Sequence, residues 1–176
     1  MIFITSDTWF NRPIYQLQDI DVVDYNDMLI AKWNEVVSDS DDVYVLGGFG
    51  VSDLYHIVIR LKGNIHFLNN YYTEDEKMFI NDMKKYINSS TDQNISNRIF
   101  FHNEQIMTNV ETDCVMSYFP LADWIGKNTG TFNFHGFYKN NDFVNHNVSC
   151  NTYDWDFYPV NIEKIKKNIS NFEEKM

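Results

Sequence analysis

The chain has 176 residues and a formal net charge of −11, from 25 acidic and 14 basic residues. Hydrophobic residues make up 44% of it and aromatic residues 16%, which excludes a disordered chain because so much apolar surface offsets the entropy lost on folding. The acidic balance argues against direct nucleic-acid binding, which depends on Lys and Arg. It fits either a well-solvated surface or a basic partner, such as a nucleic-acid-handling protein. No basic leader and no run of about 18 uncharged apolar residues is present, so we expect a cytoplasmic protein with no membrane span.

Apolar periodicity predicts alternating strands and helices in the first half of the chain. The predicted strands cover 2–6, 43–46 and 65–68, and the predicted helices cover 24–37, 53–61 and 73–88. The inward faces of the two longer helices are expected to carry Met28, Leu29, Trp33 and Val36, and Met78, Phe79, Met83 and Ile87. The polar stretch 88–98 is expected to be a loop.

The second half is richer in strands. Hairpin-like strands are predicted at 99–102, 105–110, 113–117, 131–137 and 144–150, followed by a helix at 161–171. The order of elements predicts an α/β fold of two packed mixed β-sheets flanked by helices, in a single domain over 1–176. Cys114 and Cys150 are too few for a disulfide framework and are expected to be buried thiols.

Polar or small residues follow several of the predicted strands. They are Asp7, Gly48, Asn69–Asn70, Ser117–Tyr118 and His135–Phe137. Since open α/β sheets bind ligands at the carboxyl ends of their strands, these positions are the candidate site.

The segments around these positions carry a resemblance to a known family. They are Thr5-Ser6-Asp7-Thr8-Trp9, Lys32-Trp33-Asn34, Leu46-Gly47-Gly48, Asn69-Asn70-Tyr71-Tyr72, Ser117-Tyr118-Phe119-Pro120-Leu121, His135-Gly136-Phe137-Tyr138-Lys139 and Tyr153-Asp154-Trp155-Asp156-Phe157-Tyr158-Pro159-Val160. In order and spacing the series resembles the calcineurin-like metallophosphoesterases, in particular their short bacterial and phage forms, over residues 2–165. The resemblance implies a four-layer α/β/β/α sandwich.

The same resemblance implies that most metal ligands are missing. Of the seven ligand positions, Asp7 and Asn70 keep a donor, and the other five are Trp9, Gly48, Tyr118, Phe137 and Lys139. The position of the acid that protonates the leaving group is Tyr71, and that of its acidic partner is Tyr72. Divalent metals need carboxylate, imidazole or amide donors, and a phenol with a pKa near 10 is a poor proton shuttle. We therefore expect no metal, no cofactor and no catalysis.

The surviving histidines do not predict a replacement site. In the family's pattern His135 is not a direct ligand, so a buried structural imidazole is expected. His66, His102, His135 and His146 lack helical or zinc-motif spacing.

Two further hypotheses concern the lost ligand positions. The ammonium of Lys139 either neutralises Asp7 in place of a metal or points into solvent. The aromatic residues Trp9, Tyr71, Tyr72, Tyr118, Phe137 and Tyr138 either fill the vacated volume or form a surface for a partner.

These features leave three functions open. The first is a pseudoenzyme that binds a macromolecular partner, for example a phage protein that inhibits a host or defence protein. The second is a sensor or sponge for a nucleotide or small phosphorylated ligand, using the Gly47–Gly48 backbone, the aromatic residues and a cation such as Lys139, Arg12 or Lys127. The third, with least support, is a residual metal-dependent phosphodiesterase.

Overall fold

The computed structural model describes residues 1–12, 21–70, 73–137 and 146–173, with side chains up to residue 169. Across these ranges the fold is α/β, with two mixed sheets and five helices. The strands are β1 (Ile2–Thr5), β2 (Asp42–Val45), β3 (Asn64–Phe67), β4 (Ile99–Phe101), β5 (Ile106–Asn109), β6 (Cys114–Ser117), β7 (Phe132–His135), β8 (Asn147–Ser149) and β9 (Val160–Asn161). The helices are α1 (Val22–Val36), α2 (Leu54–Val58), α3 (Glu74–Ser89), α4 (Gln93–Ser96) and α5 (Ile162–Glu173).

The first sheet has the order β4-β3-β2-β1-β9. Strands β1 to β4 are parallel, and β9 pairs antiparallel with β1. The parallel strands are linked by helical crossovers, as parallel pairing requires. Their carboxyl ends therefore lie at one edge of the sheet.

The second sheet has the order β5-β6-β7-β8. Its strands β5 and β6 form the expected hairpin, whereas β6, β7 and β8 are parallel. The hairpin prediction was wrong for the last strands because the long segments after β6 and β7 return the chain to the same end of the sheet.

Two apolar clusters hold these layers together. One cluster joins one face of the first sheet to the first three helices, through Phe3, Val43, Val45, Ile65, Tyr25, Leu29, Trp33, Ile57, Ile80, Met83 and Ile87. The other joins the two sheets and α5, through Ile4, Leu46, Met116, Phe134, Val148, Ile162 and Ile165. Both cysteines are buried free thiols, as predicted, and burial raises the pKa of each.

Two local predictions need correction. Met78 is 51% exposed, because the buried stripe of α3 runs through Glu76, Ile80, Met83 and Ile87 at helical spacing. The stretch 88–98 is not all loop: α3 continues to Ser89, and α4 follows, with the Asp92 side chain accepting from the Asn94 N–H.

Candidate functional site at the strand ends

The candidate site lies where the carboxyl ends of strands from both sheets meet. The N–H of Asp7, just after β1, donates to Gly47 O after β2 at 2.9 Å, and the N–H of Trp9 donates to Gly48 O at 2.9 Å. An isolated bridge pairs Ser6 with Asn151, which follows β8, and so joins the two sheets at this point. Of the predicted strand-end positions, Asp7 and Gly48 are therefore brought together here.

Protein donors surround the carboxylate of Asp7. The hydroxyl of Tyr118, after β6, lies 3.2 Å from Asp7 Oδ1 and 3.4 Å from Oδ2. The side-chain amide of Asn151 donates to Asp7 Oδ2 at 2.5 Å, and the same Nδ2 lies 3.2 Å from Gly136 O. Asp7, the one acidic side chain in the implied ligand set, therefore accepts hydrogen bonds from other side chains of the protein.

Burial raises the pKa of Asp7 to about 7, because the charged form loses its hydration. The negative charge of Glu76 raises it further, while the donors Tyr118 and Asn151 oppose the rise. Glu76 is 1% exposed and accepts from the N–H of Phe49 at 2.9 Å. Asp7 thus changes its charge near neutral pH.

Gly48 is tightly enclosed by Asp7. A Cβ built on Gly48 would lie 2.0 Å from Asp7 Oδ1 and 2.8 Å from Asp7 Cα, and the residue has φ of 63°. A side chain at position 48 and the present Asp7 conformation therefore exclude each other sterically. No carboxylate can be added at this position, where the family's bridging ligand is implied, unless Asp7 moves.

Tyr118 fills the space between the two sheets. Its side chain is 6% exposed, and its Cδ2 would lie 2.8 Å from a Cβ at Gly47 and 2.9 Å from a Cβ at Gly136. Both glycines are needed for this approach. Of the two hypotheses for the aromatic residues, filling therefore applies to Tyr118, which is not available as a contact surface.

Two other aromatic side chains do face solvent here. Phe119 is 60% exposed and Phe137 is 40% exposed, with ring centroids 5.5 Å apart. Phe137 also meets Tyr118 edge-on at 6.3 Å, so the exposed pair rests on the buried ring. Trp9 is partly exposed, and the guanidinium carbon of Arg12 lies 5.7 Å from its ring centroid. We call Trp9, Phe119 and Phe137 the aromatic surface.

Asn70 makes its side-chain contact away from Asp7. Its Nδ2 donates to Gln105 O, just before β5, at 2.8 Å. Tyr71, Tyr72, Tyr138 and Lys139 lie outside the described residues, so the proposed pairing of Lys139 with Asp7 stays a prediction.

The donor set does not fit the two-metal centre that the resemblance implies. Within residues 1–12, 21–70, 73–137 and 146–173, no group of three or more His, Cys, Asp or Glu could hold a metal ion. A two-metal site needs a carboxylate between ions about 3.5–4 Å apart, and Gly48 offers no side chain there.

The histidines are distributed differently from the sequence expectation. His135 is fully buried at the end of β7, as predicted. His66 and His102, in contrast, are neighbours: His66 Nδ1 lies 3.1 Å from His102 Nε2, and His66 Nε2 lies 3.1 Å from Asp42 Oδ1. Spacing could not reveal this cluster, because the parallel pairing of β3 with β4 brings the two segments together.

Sequence reasoning also missed three residues of the site. Asn151 follows the last strand of the second sheet, so the strand-end rule applied to that strand would have found it. Phe119 stands next to Tyr118, but its exposure has no signal in the sequence. Glu76 is one of three acidic residues in the first turn of α3, and nothing in the sequence marks it as buried.

Comparison with known proteins supports the fold and leaves the family open. Neither a protein-family model nor a curated protein matches the chain. Its structure is similar to the crystal structure of a protein of unknown function, AQ665, from Aquifex aeolicus. The two share 17% sequence identity with a TM-score of 0.61, over 95% of this chain and 98% of the other. No described helix is long and apolar enough to cross a membrane.

Proposed function

We propose that this protein is a metallophosphoesterase-like pseudoenzyme, with the four-layer fold of that family, that acts by binding a macromolecular partner at the aromatic surface. The binding role follows from what the strand ends offer: a carboxylate bonded internally and aromatic rings facing outward. Among the described residues, no group of three or more His, Cys, Asp or Glu side chains could hold a catalytic metal ion.

The contact between Gly48 and Asp7 carries the proposal. The Asp7 carboxylate occupies the space into which a side chain at position 48 would extend, and Tyr118 and Asn151 donate to it. In a metal site without its ions, the carboxylate oxygens would point, without protein donors, towards the position of the ion. Here two side-chain donors, the Tyr118 hydroxyl and the Asn151 amide, instead bind the Asp7 carboxylate to the neighbouring strand ends.

The aromatic surface has the properties of a binding site for a protein. Phe119 and Phe137 are exposed large apolar side chains at contact distance, and Tyr118 supports them from below. Aromatic residues that are rigidly held lose little entropy on binding and often dominate interface energies. With a chain charge of −11, a partner with a basic rim around an apolar centre fits best.

Affinity capture with matched variants tests the binding role. Wild-type protein, the double variant Phe119→Ser/Phe137→Ser and the control Val110→Ser are each used to capture proteins from nuclease-treated lysate of the natural host. Val110 is 86% exposed and lies in the β5–β6 turn, at the opposite end of β6 from Tyr118. We expect one stoichiometric partner with the wild type and the control, and its loss with the double variant. A partner retained by the double variant would place binding elsewhere.

Hydrolysis of a simple phosphodiester tests the loss of catalysis. We expect no turnover of bis(p-nitrophenyl) phosphate with Mn²⁺, Mg²⁺ or Zn²⁺ above the level of the free ions. Metal-dependent turnover that disappears in Asp7→Ala would contradict the proposal, since it would assign Asp7 to a working metal site.

The contact between Arg12 and Trp9 favours a second candidate, a sensor or sponge for a nucleotide. A guanidinium beside an aromatic ring offers a cation for phosphate and a face for stacking a base. A thermal-shift screen with nucleotides distinguishes the two functions, because a ligand in excess over its Kd raises Tm. A nucleotide that raises Tm of the wild type but not of Trp9→Ala would favour the sensor.

A further inference from the structure

A cavity lies far along β1 from Asp7, at the edge of the first sheet between α1 and α5. Its volume is about 760 Å³, within the roughly 300–1,000 Å³ typical of small-molecule sites. The apolar part of its lining is Phe3, Val36, Trp155, Pro159, Val160 and Ile165. Phe3 belongs to the start of β1, whereas the candidate site follows the end of that strand, so the two sites are separate.

One wall of this cavity is polar, and it is built by the start of α5. Lys164 and Asn168 line the cavity from one face of α5, at positions i and i+4, and Asn161 lines it from the residue just before the helix. The Asn161 side chain accepts from the N–H of Lys164 at 3.0 Å and so fixes the first turn.

Lys164 is the cation of this wall. Among the residues described, its ammonium has no ion-pair or hydrogen-bond partner, although the chain as a whole is strongly acidic. The carboxylate on the opposite wall, Glu35, accepts from the hydroxyl of Tyr158 at 3.0 Å. The ammonium of Lys32 lies 4.6 Å from the centroid of the same Tyr158 ring. The two walls therefore differ: Glu35 has a partner from the protein, whereas the exposed side chain of Lys164 lines the cavity with no such partner among the described residues.

An apolar lining beside one cation favours a ligand that has an apolar body and a negative charge. We propose that this cavity binds a small organic anion with an apolar body, the body lying on Phe3, Val36 and Ile165 and the acidic group lying against Lys164. Burial of such a body removes apolar surface of both partners from water, which favours binding. A cationic amphiphile of the same size would gain the same apolar contact but would meet the Lys164 charge. A free small molecule fits better than a membrane lipid, because the site is a concavity between two helices.

Two probes of equal chain length and opposite charge test this proposal. Decanoate and decyltrimethylammonium are titrated into the wild-type protein by isothermal calorimetry, each below its micelle concentration. We expect saturable binding of one decanoate per chain, and binding of decyltrimethylammonium at least about tenfold weaker, as expected for loss of one charge-assisted contact.

A pair of charge-reversed variants identifies the site. Lys164→Glu should lose decanoate affinity by about tenfold or more and should bind decyltrimethylammonium more tightly than the wild type does. Lys167→Glu makes the same change of charge on the same helix, at an exposed residue that does not line the cavity, and should leave decanoate affinity within about twofold. Thermal melts of both variants verify folding.

Three outcomes would overturn the proposal: no saturable decanoate binding to the wild type, equal affinity for both probes, or equal loss in both variants. The proposal is independent of the aromatic surface, so partner capture by the wild type neither supports nor opposes it.

Discussion

Asn151 donates its side-chain amide to the carboxylate of Asp7 at 2.5 Å, across 144 residues of sequence. This contact joins the end of β1 in one sheet to the end of β8 in the other. Tyr118, from the end of β6, adds a second donor. The carboxylate thus links the two sheets, and its protonation state should bear on stability as well as on binding.

The Asp7 carboxyl should make stability depend on pH in a defined window. Its pKa rises from 3.8 to about 7 in the folded state, so the folded protein binds more protons than the unfolded chain between these values. The contribution of Asp7 to the free energy of unfolding therefore falls as pH rises from about 4 to 7 and is constant above that. At about 1.4 kcal/mol per pKa unit, we expect Asp7→Asn to gain about 2–4 kcal/mol relative to the wild type between pH 4 and pH 8.

Urea unfolding of the two proteins at several pH values measures this difference. Glu111→Gln, a neutralising change at an exposed residue of the β5–β6 turn, is the control and should show no such trend. A constant difference between Asp7→Asn and the wild type from pH 4 to pH 8 would contradict a carboxyl that titrates near neutral pH.

Introducing a carboxylate at position 48 should destabilise the fold. In Gly48→Asp the new Cβ would lie 2.0 Å from Asp7 Oδ1, so Asp7 must move and lose its donors. We expect a loss of about 2–4 kcal/mol in the free energy of unfolding, typical of severe overpacking beside a broken polar network.

Gly130→Asp separates the collision from backbone strain. Gly130 has φ of 96°, also in the left-handed region, but a Cβ there meets only His146 Cε1 at 3.9 Å. Its cost should be about 1 kcal/mol, from strain alone. The double variant Asp7→Gly/Gly48→Asp removes the Asp7 side chain and should recover part of the lost stability. If it is no more stable than Gly48→Asp, the clash with the Asp7 side chain is not the cause of the loss.

The sequence was sufficient for the elements whose pattern is local. Apolar runs predicted β1, β2 and β3 to within a residue or two at each end, and periodicity predicted α1 and α3. The strand-end rule placed Asp7 and Tyr118 in one candidate site, because open α/β sheets bind ligands at the carboxyl ends of their strands. That the chain is α/β with two mixed sheets was predictable on the same grounds.

Contacts that depend on packing between distant segments were not predictable. Asn151 reaches Asp7 only because the two sheets meet at the Ser6–Asn151 bridge. His66 meets His102 only because β4 pairs in register with β3. The buried carboxylate of Glu76 accepts from the N–H of Phe49, which needs an acceptor. The apolar pattern of α3 does not indicate this contact. Of these residues, Asn151 and Glu76 act on the pKa of Asp7, in opposite directions.

The Tyr118 hydroxyl and ring should have separable roles. In Tyr118→Phe the Asp7 carboxylate loses a donor to its charged form, so the pKa of Asp7 should rise above about 7 while the fold is retained. In Tyr118→Ala the space above Gly47 and Gly136 is emptied, and the free energy of unfolding should fall by about 3–5 kcal/mol. Carboxyl ¹³C NMR against pH and urea unfolding measure the two effects. An unchanged Asp7 titration in Tyr118→Phe would show that the 3.2 Å contact does not form in solution.

The cluster of Asp42, His66 and His102 should lower stability at acidic pH. Burial lowers the pKa of His66, and the neighbouring His102 lowers it further, while the hydrogen bond that His66 donates to Asp42 partly opposes both effects. Tyr44 and Phe100 stack on the two sides of the His66 ring, with centroid distances of 4.5 Å and 4.6 Å. The pKa of Tyr44 is itself raised by burial. Because the folded-state pKa lies below the ordinary 6.5, the contribution of His66 is fully present above 6.5 and is lost as pH falls through the folded value.

His66→Gln should therefore flatten the dependence of the free energy of unfolding on pH below the ordinary histidine pKa of 6.5. His56→Gln, at an exposed residue of α2, serves as the control and should leave that dependence unchanged. The measurement is best made in the Asp7→Asn background, since the Asp7 carboxyl changes stability in the opposite direction over part of the same range. If both histidine variants keep the full slope, the cluster does not carry the acid sensitivity of the fold.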